Sequence, residues 1–161
     1  MGQSTEADYL VIGAGSAGCV LANRLTENNE STVTVVEAGG PDHWWNWKVH
    51  MPSALAYPLA DNKYNWAYFS EPERHLDGRR MYCPRGKIWG GSSSINGMAY
   101  VRGHALDYER WSLVSGCEGW SYSECLPYFK KAESIDIGGD DYRGGVGPLQ
   151  VTAGKMENPL Y

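Results

Sequence analysis

Three glycines stand at the spacing GxGxxG in the stretch Gly13-Ala14-Gly15-Ser16-Ala17-Gly18. Glycines so placed serve the pyrophosphate of a dinucleotide. The first permits a tight turn, the second lets the backbone approach the phosphates, and the third lets a helix pack close to a sheet. A helix opening at Ser16 and Ala17 would present unpaired N–H groups and a partial positive charge to the anion. Glu37, followed by Ala38, comes roughly twenty residues later, where a carboxylate accepts hydrogen bonds from both hydroxyls of an adenosine ribose. An acid there also repels a 2′-phosphate, which disfavours NADP. A glycine turn that merely packs well would not require it. A second cluster runs Gly86-Lys87-Ile88-Trp89-Gly90-Gly91-Ser92-Ser93-Ser94-Ile95-Asn96. Paired glycines followed by serines give a loop with exposed N–H groups and hydroxyl donors, suited to a pyrophosphate or the edge of a polar ring. Asn96 adds a side-chain donor and acceptor. On composition alone, a plain surface loop is an equal reading of this second cluster.

The elements that must position these residues are legible at the N-terminal end. Asp8 to Ala14 reads as a buried strand running into the glycines. Ala17, Val20, Leu21 and Leu25 recur at three- and four-residue intervals, which predicts a helix from Ser16 to about Glu27 with one apolar face. After a turn at 28–31, Thr32 to Ala38 is a β-branched strand. The unit over 8–38 is therefore βαβ, with a parallel right-handed crossover. From His43 to Asn65 no period is visible. Tyr68 to Cys83 predicts two short strands joined at Asp77-Gly78. His104 to Trp111 reads as helical, and Ser121 or Ser123 opens another helix toward Glu133, with Pro127 obscuring its start. A polar glycine-rich loop over 136–147 and a strand over 148–152 follow.

The 161 residues carry a net charge of −5, which argues against a nucleic-acid surface, and one respectable core is the prior. No apolar run has the length to cross a bilayer, so no transmembrane segment is expected. The start, Met1 to Asp8, resembles neither a signal nor a transit peptide. Cys19, Cys83, Cys117 and Cys125 have no zinc spacing, and free thiols in an intracellular compartment are the plain reading. Asn29-Glu30-Ser31 reads as a turn rather than a glycosylated sequon. Arg79-Arg80 reads as solvated charge, and Asp136, Asp140 and Asp141 lack calcium-loop spacing. Trp44, Trp45, Trp47 and Trp66 are expected to pack rather than to form an aromatic cage. No metal site is expected.

The second cluster resembles the first signature of the glucose–methanol–choline (GMC) oxidoreductases, with each position from Gly86 to Glu109 acceptably filled. The similarity runs from Asp8 to the end. Tyr64-Asn65-Trp66, Met98-Ala99-Tyr100-Val101-Arg102-Gly103-His104 and Leu126-Pro127-Tyr128-Phe129 resemble the choline-oxidising branch of that family. The resemblance implies an α/β chain: the N-terminal part of a Rossmann-type FAD-binding domain over 1–161, truncated, with the start of the substrate domain. It implies a βαβ nucleotide unit at 8–38 and a flavin-contacting loop at 86–103. Gly13, Gly15, Ser16, Ala17 and Gly18 would hold the pyrophosphate, and Glu37 and Ala38 the adenosine ribose. Gly90, Gly91, Ser92 and Ser93 would lie along the flavin side, and Asn96, Gly97 and Ala99 would contact the isoalloxazine region. Ile95 stands where some relatives carry a histidine bonded to FAD, so the FAD is expected to be non-covalent. The substrate implied is a small alcohol, choline among the candidates, oxidised by hydride transfer to the flavin. The electron acceptor is not indicated. A mitochondrial location is compatible with the same resemblance.

In that family a histidine near the far C-terminus removes the hydroxyl proton, and proton abstraction needs such a group within hydrogen-bond reach. None of His43, His50, His75 and His104 sits in that motif, and no catalytic residue is nominated. The chain taken alone is expected to be inactive. Two other readings stay open: a truncated non-catalytic nucleotide-binding product, and an NAD-dependent enzyme. With the later strands of a doubly wound sheet absent, marginal stability or aggregation of the isolated chain is also expected.

Overall fold

The computed structural model describes residues 6–154, and the chain divides into two units at the Ala99–Tyr100 bond. The first unit opens with β1 (Tyr9–Ile12), α1 (Ser16–Leu25) and β2 (Val33–Val36). The strands pair in parallel, Tyr9 opposite Val33 and Ile12 opposite Val36, as the βαβ reading requires. Asp8 and Thr32 pin this register from outside the strands. The Thr32 N–H and hydroxyl donate to one Asp8 carboxylate oxygen at 2.7 and 2.8 Å, and the Asp8 N–H donates to the Thr32 hydroxyl at 3.1 Å. The Thr32 backbone N–H, with its hydroxyl second, holds the Asp8 carboxyl below the usual range.

The expected burial does not follow. Of β1 only Val11 is buried, whereas Leu10 and Ile12 are 63% and 76% exposed. On α1, Val20 and Leu21 face solvent and Gly18 alone is buried. Apolar periodicity marks a face that is able to pack; among the described residues, the partner for this one is missing.

No period was visible over 43–65 because the helices there are too short to show one: α2 (Trp47–His50) and α3 (Ala56–Ala60), separated by a single 3-10 turn at Pro52–Ala54. Next come β3 (Tyr68–Phe69) and β4 (Tyr82–Cys83), antiparallel, with Asp77 and Gly78 both left-handed at φ 54° and 70° in the turn predicted between them. The core of this unit is Tyr64, Ile88 and Ile95, with Val49 and Leu59 packed against it.

Asn65, only 2% exposed, stitches the region together. Its amide donates to the Leu59 carbonyl at 2.9 Å and the Tyr82 hydroxyl at 2.6 Å, and its oxygen accepts from the N–H groups of Ala67 at 3.0 Å and Arg85 at 2.8 Å. All four of its polar valences are filled, which is what makes a buried amide tolerable.

The second unit holds α4 (Ala105–Ser112), α5 (Tyr122–Ala132), β5 (Glu133–Ile135) and β6 (Leu149–Val151). Ser121 is the N-cap of α5, in a capping box with Glu124, which settles the choice between Ser121 and Ser123. Pro127 lies inside α5 rather than at its start. Strand β5 was not foreseen: it pairs in parallel with β6 and begins where the helix was expected to end.

Glu133, with no exposed surface, anchors this unit. One carboxylate oxygen accepts from the Gly144 N–H at 2.9 Å and lies 2.8 Å from Arg102 Nη2; the other lies 3.3 Å from Arg143 Nη1. Burial alone would push the Glu133 carboxyl up, but the bonds from Gly144, Arg102 and Tyr100 outweigh it and hold the group below the ordinary range. Burial, and then Glu133 itself, pushes the Tyr100 phenol up.

Three outcomes are expected. Asn65→Ala, which removes a buried amide and leaves the Ala67 and Arg85 N–H groups without their acceptor, should destabilise the chain by about 2–4 kcal/mol in urea unfolding. Glu133→Gln should cost about 3 kcal/mol or more at neutral pH. Because the folded carboxyl is depressed, its contribution is present above the unfolded value of roughly 4.3 and disappears as pH falls through the folded one. The gap between Glu133→Gln and the parent should therefore close in acid. Thirdly, the 161-residue chain should self-associate at micromolar concentration, and Ile12→Lys, which charges the bare strand, should reduce that association in size-exclusion chromatography. A monomer with a cooperative thermal transition in the absence of FAD would count against this last expectation.

Candidate functional site

The first glycine turn is built by β1 ending at Ile12 and α1 starting at Ser16. Gly13 takes φ +95°, where a side chain is strained, and its N–H donates to the Val36 carbonyl at 2.7 Å. Gly18 packs the helix against the turn so closely that a Cβ would stand 2.0 Å from the Gly13 carbonyl oxygen. Gly15 is the N-cap of α1, with no side chain capping the helix and no acid in its first turn. The N–H groups of Ser16 and Ala17 thus stand at a positive helix end with an anion-binding character.

Against this turn lies the second glycine cluster. The Gly90 N–H donates to the Ala14 carbonyl at 2.7 Å, and Gly15 and Gly90 run side by side as a parallel bridge. Gly91 sits at φ +58°, and a Cβ there would come within 2.8 Å of the Gly15 Cα. Two chain segments more than seventy residues apart therefore meet backbone to backbone, which only glycine permits. The Trp89 N–H donates to the Gly40 carbonyl at 3.1 Å, joining the same loop to the segment after β2.

Glu37, at the end of β2, is tied into this junction. Its two carboxylate oxygens accept from the Ala14 N–H at 2.7 Å and the Gly39 N–H at 2.8 Å. Each oxygen keeps a further lone pair, so the carboxylate can still accept from a ribose while bracing the glycine turn. This bracing role was not anticipated.

The serines do less for a ligand than their composition promised. The Ser93 hydroxyl donates to the Gly90 carbonyl at 2.6 Å and that of Ser94 to the Trp89 carbonyl at 2.7 Å, while the Ser92 hydroxyl accepts from the Gly86 N–H at 3.0 Å. They fasten a 3-10 turn over Gly91–Ser94. Gly13, Gly15, Ser16, Ala17, Gly18, Glu37, Gly90 and Gly91 are gathered at the junction, and Ala38 follows Glu37 directly. Asn96, Gly97 and Ala99 lie further along the exposed strand of chain that leaves it. There the Asn96 side chain accepts from the Met98 N–H at 2.8 Å. Asn65 is the residue the sequence reading missed. Its only signal was a small amide among aromatics.

Trp45 and Trp47 line one cavity, whose wall also carries Lys48 and Lys63. Trp44 pairs with Trp45, Trp47 with Tyr57 and Trp66 with Tyr68. The expected burial is not met, since their exposure runs from 42% to 83%. All four cysteines are free thiols. Among the described residues no cluster has metal-ligating composition, and no helix is long and apolar enough to cross a membrane.

The sequence pattern of the GMC oxidoreductases, in its N-terminal portion, matches residues 7–161. The chain belongs to the GMC oxidoreductase family. It is 58% identical over 162 aligned residues to an oxygen-dependent choline dehydrogenase of Chromohalobacter salexigens, covering 100% of this chain and 29% of that protein. Among solved structures, pyridoxine 4-oxidase from Mesorbium loti aligns with a TM-score of 0.79 and 36% identity, over 90% of this chain and 28% of that one. Formate oxidase from Aspergillus oryzae, studied for its FAD modification, aligns with a TM-score of 0.76 and 31% identity, over 94% and 27%. The GMC chain described here thus spans under a third of the length of these relatives. The curated choline dehydrogenase is bacterial and lends no support to a mitochondrial location.

Two substitutions separate packing glycines from the rest. Gly18→Ala drives a methyl into the Gly13 carbonyl and should lower stability by about 2 kcal/mol or more. Gly97→Ala, with no atom within 4 Å of the added carbon, should leave the thermal midpoint within about a degree.

Proposed function

We propose that this chain is the FAD-binding portion of a flavin-dependent alcohol oxidoreductase whose substrate is choline. The observation that carries the reading is the junction of the two glycine turns. There the Gly90 N–H reaches the Ala14 carbonyl beside an uncapped helix end. Such a junction offers a dinucleotide one continuous backbone surface, from the phosphate-facing N–H groups of Ser16 and Ala17 to the flavin-side loop at Gly90–Ser93. The donor set fits FAD chemically. Glu37 retains acceptor capacity for a ribose, and its charge opposes a 2′-phosphate. The likeness to choline dehydrogenases supports the choice of substrate.

FAD, when bound, supplies the hydride acceptor. The chain's own contribution is to hold the pyrophosphate at α1, the adenosine ribose at Glu37 and Ala38, and the isoalloxazine region at Asn96, Gly97 and Ala99. Non-covalent attachment is supported by Ile95, which has no nucleophilic atom and is 4% exposed, turned into the core with Tyr64 and Ile88.

The test is reconstitution. Mixed with FAD, the chain should change the flavin fluorescence and shift its absorption band, and acid precipitation should release all of the flavin. Glu37→Gln should weaken FAD by about tenfold, the loss of one charge-assisted ribose contact. No choline oxidation is expected of the 161 residues alone. Absence of flavin binding under refolding conditions, or tighter binding of NAD than of FAD, would overturn the reading.

A further inference from the structure

Outside the glycine junction, the first unit has a cavity of about 260 Å³ whose wall includes Asp42, His50, Ser93, Ser94, Asn96 and Met98. It therefore opens onto the same loop that carries the flavin-side residues. His50 ends α2, and its Nε2 faces two oxygens: the His43 carbonyl at 3.1 Å and Asp42 Oδ1 at 2.9 Å. That Asp42 oxygen is cut off from solvent and, although His50 Nε2 lies close to it, has no hydrogen-bond partner among the described residues. Both neighbours are acceptors, so a bare Nε2 lone pair there would be repelled. Nε2 must carry the proton in either charge state of the ring, and in the neutral ring Nδ1 is left bare. No described residue donates to Nδ1, and the side chain is 44% exposed. The hydrogen bond to the His43 carbonyl, with the Asp42 carboxylate beside it, fixes one ring nitrogen and with it the orientation of the other.

We propose that His50 Nδ1 is the acceptor seat for a hydroxyl group in this cavity, with Asp42 as its positioning residue. The proposal rests on the flavin-and-alcohol reading above. Two hydroxyl sources share the chemistry: the ribityl chain of the flavin and the alcohol substrate. A carbonyl does not fit, because it would face a lone pair with no proton between them.

Carbethoxylation by diethyl pyrocarbonate, which attacks a bare imidazole nitrogen, tests this in the full chain by peptide mass mapping, with His75 and His104 as internal standards. One arm adds FAD, and a second adds choline to the FAD-loaded chain. Flavin absorbance monitors cofactor binding separately. At about ten times the Kd, the arm with the true hydroxyl source should cut His50 labelling about tenfold, with the standards unchanged. Protection by FAD alone assigns the ribityl hydroxyl, and protection only on adding choline assigns the substrate. Protection by choline in a chain that fails to take up flavin upholds the seat while sinking the cofactor reading. Long-range proton–nitrogen NMR of histidine-labelled protein should show the Nε2-protonated tautomer in the parent and a mixture in Asp42→Asn. Equal His50 labelling in every arm, or a proton on Nδ1 in the unliganded parent, overturns the proposal.

Discussion

The approach of two backbones at Gly15, Gly90 and Gly91 is the constraint on which the rest of the first unit depends. The Gly90 N–H donates to the Ala14 carbonyl at 2.7 Å, and a Cβ at Gly91 would stand 2.8 Å from the Gly15 Cα. The absent Cβ of Gly91 is what allows a loop from the middle of the chain to lie on the first turn of a βαβ unit. The other features of the site serve this contact. Glu37 braces the first turn by accepting from Ala14 and Gly39, and the hydroxyls of Ser92, Ser93 and Ser94 hold the second in a compact 3-10 turn. The start of α1 carries no capping side chain, which leaves its first N–H groups free to meet an anion.

Behind the junction, Asn65 and the small core of Tyr64, Ile88 and Ile95 set the height of the second loop. The buried amide spans Leu59, Ala67, Tyr82 and Arg85, joining a helix, a strand and the start of the glycine loop with directional bonds. Apolar packing alone would allow that loop to slide. In the second unit, Glu133 does the corresponding work with charge: a fully buried carboxylate held between two guanidinium groups and a backbone N–H. Such an arrangement tolerates loss of a partner poorly, because the remaining charge would be left without solvent.

The chain belongs to the GMC oxidoreductases and covers under a third of the length of its relatives. The apolar residues left bare on β1 and α1 have the composition of an interior, and their exposure is a property of this stretch of polypeptide taken by itself.

What the sequence determined by itself was local. GxGxxG followed by a helical period and a β-branched run defines a βαβ unit, because those signals act over a few residues. The hairpin turn at Asp77-Gly78 was legible for the same reason, while the cap of α5 was narrowed only to Ser121 or Ser123. Tertiary structure decided which distant segments meet. It placed Gly91 on Gly15, turned Glu37 into a brace for the first glycine turn, committed the serine hydroxyls to the loop's own backbone, buried Asn65 and Glu133, and put Asp42 against His50. These outcomes depend on contacts whose partners are set by the path of the chain in space, and spacing along a sequence carries no record of that path.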